Sequence, residues 1–469
     1  MVEKFKTEHL FETVVKGGYC VGCGACAAIK DSPIEMEFDE FGKYRPKLDP
    51  SKIDTTEGST LKVCPFSDES LDEDIIGKEL YSDNSVKHDK LGYISSTYAG
   101  YVEEDEYRAN GSSGGLGTWV VSELFKKNLI DGVIHVRSKE INPENSTLFQ
   151  YTISNDLASI YQGAKSRYYP IELSKVVQMV RNTPGRYAIV GLPCFIKSIR
   201  LLQREDSVIK DRIKFCIGLV CGHLKSANFG NMWAWQIGVN PKSLKEINFR
   251  TKLSGFGANQ YGVTVRGEVD GTEKTVVSPP LNQLYGGNWG WGLFKYKACD
   301  YCDDVVAETA DVTIGDAWLP QYLNESKGTN VLIIRNKTIE NLINKAYKEK
   351  RLYLDSLPAD KVVDSQKSGF SHRREGLAYR LALQDEKQIW RPKKRVNADR
   401  DAVSDLIKKR LDLRIKIASN SHTAFKHAME GNNFKLFVEE LRPLITQYQK
   451  LYKSPLWKRV VRKVLKFKS

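Results

Sequence analysis

The sequence predicts a mixed α/β core, with a cysteine-bearing segment before it and a basic helical extension after it. Three observations lead there. From about Tyr93 short strand-like runs alternate with helical ones, the nine cysteines fall into three groups, and the excess positive charge lies beyond Trp390. The expected units are 1–88, 89–180, 181–345 and, as the extension, 390–469.

Each element follows from local patterning. YISSTYAGYV (93–102) reads as a strand, and the glycine-rich run from Asn110 to Gly117 as a tight loop. In TWVVSELFKKN (118–128), Val120, Val121, Leu124 and Phe125 recur at helical spacing. GVIHV (132–136) is a second strand. The pattern then repeats: a helix over 171–182, the strand RYAIVGL (186–192), the helix FIKSIRLLQ and the strand IKFCIGLV (213–220). Such alternation implies a sheet covered by helices. VTVRGEV and DVTIGDAW add strand-like segments between 245 and 320. Residues 1–85 need little regular structure, and the tail is helical in pattern.

The early cysteines carry the sharpest chemical signal. Cys20-Val-Gly-Cys23-Gly-Ala-Cys26 sets three thiols at i, i+3 and i+6, with glycines that permit positive φ, and Cys64-Pro65 supplies a fourth ligand. C-x2-C-x2-C is iron–sulphur spacing, whereas structural zinc usually draws on two separated C-x2-C pairs. A ferredoxin-like segment with one 4Fe–4S cluster is expected over 1–88, with zinc as the alternative. Cys299-Asp-Tyr-Cys302 is a C-x2-C pair compatible with either. Cys194 and Cys221 each follow a predicted strand, at the carboxyl end where α/β sheets place functional groups. Together the four suffice for a second 4Fe–4S cluster. Cys216, inside its strand, reads as a small apolar filler.

Between a strand and a helix, Asn110, Gly111, Ser112, Ser113, Gly114 and Gly115 form the shape of an anion cradle. The run is neither G-x-G-x-x-G nor a Walker loop, and a plain tight turn is the alternative. Beside iron–sulphur ligands it suits the phosphates of FAD, the usual converter between two-electron and one-electron chemistry. Lys165 and Arg167 would complement those phosphates, or are solvated surface charge.

These motifs resemble the beta-subunit family of coenzyme F420 (deazaflavin) hydrogenases and dehydrogenases, which includes 7-hydroxymethyl chlorophyll a reductase. The resemblance rests on CVGCGAC, VCPF, NGSSGGLGTWVVSELFKKNLIDGVIHV, YAIVGLPCFIKSIRLL, GLVCGHLKS and KACDYCDDVVAETADVTIGDAW, in the family's order over roughly 15–340. It implies an FAD-binding iron–sulphur oxidoreductase. Gly111 to Gly115 fall on the family's flavin-binding segment, and Cys194, Cys221, Cys299 and Cys302 match its inner cysteines, without Cys216. GAKSRYYP departs from the Gly-Ser-Lys-Tyr type of segment in relatives, and the basic tail lies outside the common core. Bacterial members often occur without the deazaflavin, beside genes for surface-polysaccharide synthesis. His223 and Asp316 are the candidate acid–base residues. A hydrogen-bonded strand-end histidine and a loop-orienting aspartate are the plainer readings.

Residues 391–469 hold 21 Lys/Arg against 7 Asp/Glu, while the remaining body holds 50 against 51 and is neutral. The last stretch, from Ser454 and Pro455, sets Leu456, Trp457, Val460, Val461, Val464, Leu465 and Phe467 against a basic face. That pattern fits a helix packed on its own domain or one lying on an anionic membrane surface. Nucleic acid is least favoured, because the neutral body offers no basic track. The first residues lack a signal-peptide shape, and no run nears the ~20 apolar residues of a membrane span. A cytoplasmic location is expected, with peripheral attachment to the inner membrane face if the tail binds lipid.

The leading expectation is a flavin- and iron–sulphur-dependent oxidoreductase, passing electrons between a ferredoxin-like donor (or deazaflavin) and a small-molecule organic acceptor. A link to polysaccharide synthesis comes from the resemblance alone. The alternatives are an electron-transfer subunit acting with a partner subunit, and a non-catalytic, zinc-stabilised scaffold at the membrane surface.

Overall fold

A computed structural model describes residues 7–140, 147–324 and 326–452. Eight strands form the central sheet: β1 (Ser96–Val102), β2 (Gly132–Ser138), β3 (Phe149–Ser154), β4 (Tyr187–Gly191), β5 (Ile213–Leu219), β6 (Val312–Asp316), β7 (Asn330–Ile334) and β8 (Leu352–Ser356). Their order is β8-β1-β7-β6-β5-β4-β2-β3. The four middle strands, β6, β5, β4 and β2, run parallel, and the flanking pairs are antiparallel.

Side chains alternate across the sheet, so adjacent residues enter different cores. Val133, Ala188, Ile217 and Val312 pack under helices α1 (Leu116–Lys126) and α2 (Lys337–Lys348), around the fully buried Trp119. Ile134, Ile189 and Cys216 face the opposite core, shared with the N-terminal cysteine segment and helix α3 (Pro193–Glu205). With both faces covered, the middle strands need unbroken apolar runs such as Tyr-Ala-Ile-Val.

The structure departs from the sequence reading in two places. The expected strand over 93–102 is broken at Ser95, whose amide and hydroxyl both donate to the Ile334 carbonyl, at 2.8 and 3.0 Å. Gly92–Ile94 pairs instead with Val86–His88 as a separate ribbon. The N-terminal segment is also more regular than expected. It holds a hairpin of Ile34–Phe38 with Tyr44–Leu48, and a helix over Glu73–Tyr81 whose first turn is capped by Asp72 accepting from the Ile75 amide. VTVRGEV lies in a second sheet, three antiparallel strands over Glu246–Thr251, Gly262–Val269 and Thr272–Val277.

The tail is helical, in α4 (Glu375–Glu386), α5 (Asp405–Glu430) and α6 (Phe434–Lys450), and it packs on the core. Phe437 of α6 stacks on Phe294 at 5.5 Å and meets Phe425 of α5 edge-on at 5.4 Å. Arg395 pairs with Glu308 at 2.7 Å, Asp74 at 3.1 Å and Asp303 at 3.3 Å, tying the tail to both cysteine-bearing regions. The basic stretch from Ser454 lies outside the described residues. Among the described residues no helix is long and apolar enough to cross a membrane.

Phe437 is fully buried, so Phe437→Ala is expected to cost about 3–5 kcal/mol by loss of transfer energy and cavity formation. A clear drop in the denaturant midpoint is the expected outcome. An unchanged midpoint would mean that the tail does not stabilise the core.

Candidate functional site: two thiol sets and a cationic cleft

Cys20, Cys23, Cys26 and Cys64 line one small cavity with apolar walls that include Leu10, Val14, Met36 and Phe66. Gly22 and Gly24, at φ 69° and 77°, turn the chain between the thiols. A Cβ at Gly22 would stand 2.5 Å from the Tyr44 carbonyl oxygen, so only glycine fits. The Gly22 amide donates to Cys20 Sγ at 3.3 Å. Burial pushes these thiols up, Cys64 to about 12, and their mutual proximity raises Cys23 and Cys26 further. Thiols in this state would bind a metal only by releasing their protons to solvent, the cation repaying the thiolates' lost hydration.

Cys194 sits in the first turn of α3, directly after β4, and Cys221 follows β5. Cys299 lies in the short 3-10 turn Lys297–Tyr301, and Cys302 follows it. The four are mutual neighbours. Beyond burial, the influences on Cys194 come from Cys302, Cys221 and Cys299, in that order. Burial pushes Cys221 to about 12 and Cys299 to about 11. The Leu224 amide donates to Cys299 Sγ at 3.2 Å. Among the described residues no three His, Cys, Asp or Glu side chains stand close enough to share a single metal ion.

The two sets adjoin. Cys23 raises Cys194, and Ser198, one turn further along α3, lies against the Cys23 thiol. The buried Tyr151 hydroxyl is raised by burial and then by Cys194 and Cys23 together, so it borders both sets.

Cys221 also borders a cleft of about 840 Å³, as do the glycine loop, Lys165–Tyr169, Arg250, Trp289 and Asp316. The loop is held by its surroundings. Gly115, at φ 85°, begins α1. A Cβ on Gly114 would lie 2.7 Å from the Gly100 carbonyl oxygen. Ser113 donates to the Thr329 carbonyl at 3.1 Å, and the Ser166 amide donates to the Ser112 hydroxyl at 2.8 Å. Among the described residues, the amides of Ser112 and Ser113 have no acceptor.

Cations surround this loop. Arg250 pairs with Asp316 at 3.0 Å and donates to the Ser112 carbonyl at 3.4 Å. Lys252 donates to the Ser113 carbonyl at 3.2 Å. Arg167 is half-buried, its Nε and Nη1 inaccessible and unpartnered, and the partial burial brings it down to about 10. Lys165 sits at a positive φ of 102°, its ammonium lowered by burial, Arg167 and Arg250. Burial, then Lys165, Arg108 and Arg250, brings Lys252 down to about 7. Cations that depress one another this far make an anion site, since a bound anion relieves their repulsion.

Of the residues singled out from sequence, Gly111, Ser112, Ser113, Gly115, Lys165, Arg167, His223 and Asp316 border the cleft. Asn110 is exposed at the end of the helical turn Tyr107–Asn110, and Gly114 packs behind the loop. Asp316 is the counter-ion of Arg250. His223 stacks on Trp289 at 4.8 Å with Nε2 unpartnered. Burial and the nearby Lys225 and Lys295 hold its imidazole neutral, far below the usual range. Arg250 and Lys252 were missed. Their signal was two alternate basic residues in Phe-Arg-Thr-Lys, within an otherwise neutral body.

The family model described as coenzyme F420 hydrogenase/dehydrogenase, beta subunit N-term, matches residues 97–178, and its C-terminus counterpart matches 185–360. Together they span more than half of the chain. The coenzyme F420-dependent sulfite reductase of Methanocaldococcus jannaschii is 23% identical over 72% of this chain, which spans about half (47%) of that protein. The coenzyme F420 hydrogenase subunit beta of Methanothermobacter thermautotrophicus is 22% identical, over 61% of this chain and 98% of that one. Among solved structures, the F420-reducing NiFe hydrogenase complex of Methanosarcina barkeri contains a chain 15% identical, with a TM-score of 0.47, covering 65% of this chain and 96% of that one.

A lysine brought down to about 7 is cationic below that pH and neutral above it. Pyrophosphate binding is therefore expected to weaken several-fold as pH rises from roughly 6 to 8, and Lys252→Gln to flatten that profile. Titration calorimetry across the range checks it, and a flat native profile would contradict it.

Proposed function

Since this chain belongs to the coenzyme F420 hydrogenase/dehydrogenase beta-subunit family, we propose that it is an iron–sulphur flavoprotein oxidoreductase. Cys20, Cys23, Cys26 and Cys64 would hold one 4Fe–4S cluster, and Cys194, Cys221, Cys299 and Cys302 a second. The cationic cleft would hold FAD. The observation that carries the reading is the order of the three sites: the first thiol set adjoins the second at Cys23 and Cys194, and the second borders the cleft at Cys221. A flavin bound there would exchange two-electron chemistry with a small organic acceptor for one-electron chemistry with the thiol-held centres.

The residues fit these groups. Two sets of mutually close, buried or half-buried thiols suit cluster ligation, with backbone amides aimed at Cys20 and Cys299. The free amides of Ser112 and Ser113, with Lys165, Arg167 and Arg250, suit a dinucleotide's phosphates. Tyr168, Phe229 and Trp289 form an apolar wall, their rings 5.3 to 6.3 Å apart, that would exclude water from a flat ring system. Neutral His223, on Trp289 and close to Cys221, is placed to hydrogen-bond a bound ring through its unpartnered Nε2. Arg250 holds Asp316 in an ion pair, which suits Asp316 to positioning the loop rather than to proton transfer.

The electron source would be a ferredoxin-like one-electron donor meeting the first thiol set, or a deazaflavin meeting the cleft, where a flavin would accept its hydride. A purely electron-transferring role within a larger complex is the second reading, favoured by the match to a hydrogenase subunit over 98% of that relative's length.

Anaerobic purification tests the proposal. A brown chain with releasable flavin is expected, and Cys302→Ser is expected to lose one cluster while keeping the other. A colourless chain containing zinc and no iron would sink both readings. Turnover of small acceptors by the isolated chain, against turnover only with a partner, separates reductase from subunit.

A further inference from the structure

Arg373 is the last residue of the helix Lys367–Arg373, beyond the segment that the family model matches. Its side chain is among the largest that are fully buried, with 1% of the residue exposed. One guanidinium nitrogen, Nη2, donates to the Gly222 carbonyl at 2.8 Å, beside Cys221. The other two, Nε and Nη1, complete no hydrogen bond of ordinary geometry, and the acceptor this guanidinium faces is the Cys302 sulphur. The charges that act on this guanidinium are thiols: Cys302, Cys221 and Cys299, in that order.

A buried guanidinium cannot shed its proton, and without a partner of opposite charge it is strongly destabilising. Nearby carboxylates are engaged elsewhere. Asp300 is paired with Lys295 and His372, Asp303 with Lys394 and Arg395, and Glu308 with Arg395 and Arg374, while Asp304 accepts from the Val306 and Glu308 amides. Four neutral thiols would leave the cation uncompensated. Four thiolates on an iron–sulphur centre would supply the missing negative charge, and would gain most in the more negative, reduced state.

We infer that Arg373 is the built-in counter-ion of the second thiol set, and that its fixed charge and two remaining donors raise the reduction potential of the centre held there. The inference rests on the cluster reading of Cys194, Cys221, Cys299 and Cys302. Arg373 binds neither substrate nor flavin; it is a positioning and tuning residue. By making the second centre the better electron acceptor, it would direct electrons from the first set toward the cleft. The chain segment after 360 thereby contributes to the redox path as well as to packing.

Potentiometric titration of the full, anaerobically purified chain with dithionite, followed by electron paramagnetic resonance, tests this. Cys302→Ser identifies the second centre's signal. Arg373→Gln is expected to make reduction of that centre at least tenfold less favourable, a fall of about 59 mV for a one-electron couple, with a smaller change at the first. Arg373→Lys, which keeps the charge, is expected to shift by less than that. No shift, equal shifts at both centres, or equal shifts in Gln and Lys variants would overturn the inference. Should Arg373→Gln not fold, Arg373→Lys decides alone, and a fall of tenfold or more with the charge retained would overturn it. A native chain lacking iron at the second set would instead overturn the cluster reading, before any variant is made.

Discussion

Eight thiols are gathered in two groups of four, Cys23, Cys221 and Cys299 buried and the others half-buried, and the groups adjoin near Cys23 and Cys194. Burial alone makes a thiol hard to ionise, and each added thiol makes its neighbours harder to ionise still. Such an arrangement is unfavourable as free thiolates, and under the proposed reading a cation-rich group bound there would relieve it. The surrounding structure follows from housing it. Helix α3 presents Cys194 and Ser198 toward the first set, β4 and β5 end at the second, and the Cys299–Cys302 turn is pinned by the Leu224 amide. The tail adds Arg395 across Asp74, Asp303 and Glu308, joining the segments that carry the two sets.

Charge is arranged differently in the cleft. There Lys165, Arg167, Arg250 and Lys252 crowd about a glycine loop, with Asp316 paired to Arg250 and acting on Lys252. The thiol sets are negative in waiting and the cleft is positive in waiting, and Cys221 borders both. An anionic two-electron carrier in the cleft and electron-rich centres at the thiols would each relieve the repulsion of the residues around it. The same physical logic, groups held in an unfavourable charge state until a ligand arrives, accounts for both halves of the site.

Much of this was legible in the sequence, because the signals were local. The alternation of apolar runs located β2, β4, β5 and β6 and the helices between them. Cysteine spacing marked the first set and the Cys299–Cys302 pair, and position within a strand set Cys216 aside; the structure buries Cys216 within β5 with its amide bonded to Asp311. What was illegible depends on contacts far apart in sequence. The break at Ser95 needs the Ile334 carbonyl, the cation pair Arg250 and Lys252 is brought to the loop by a separate sheet, and Arg373 reaches the thiols from a helix more than 60 residues after Cys302 in sequence. The tail read as an appendage by its charge. Its apolar residues, Phe425 and Phe437 among them, are what bind it to the core.

The central claim is that two thiol-held iron–sulphur centres stand side by side. Electron paramagnetic resonance of the fully reduced, anaerobically purified chain tests it most directly. Two such centres, adjoining near Cys23 and Cys194, should carry about eight iron atoms per chain, and their spectrum should be broadened by spin–spin interaction that vanishes in Cys302→Ser. A sharp signal from one isolated centre, or about four iron atoms per chain with all cysteines intact, would contradict the account.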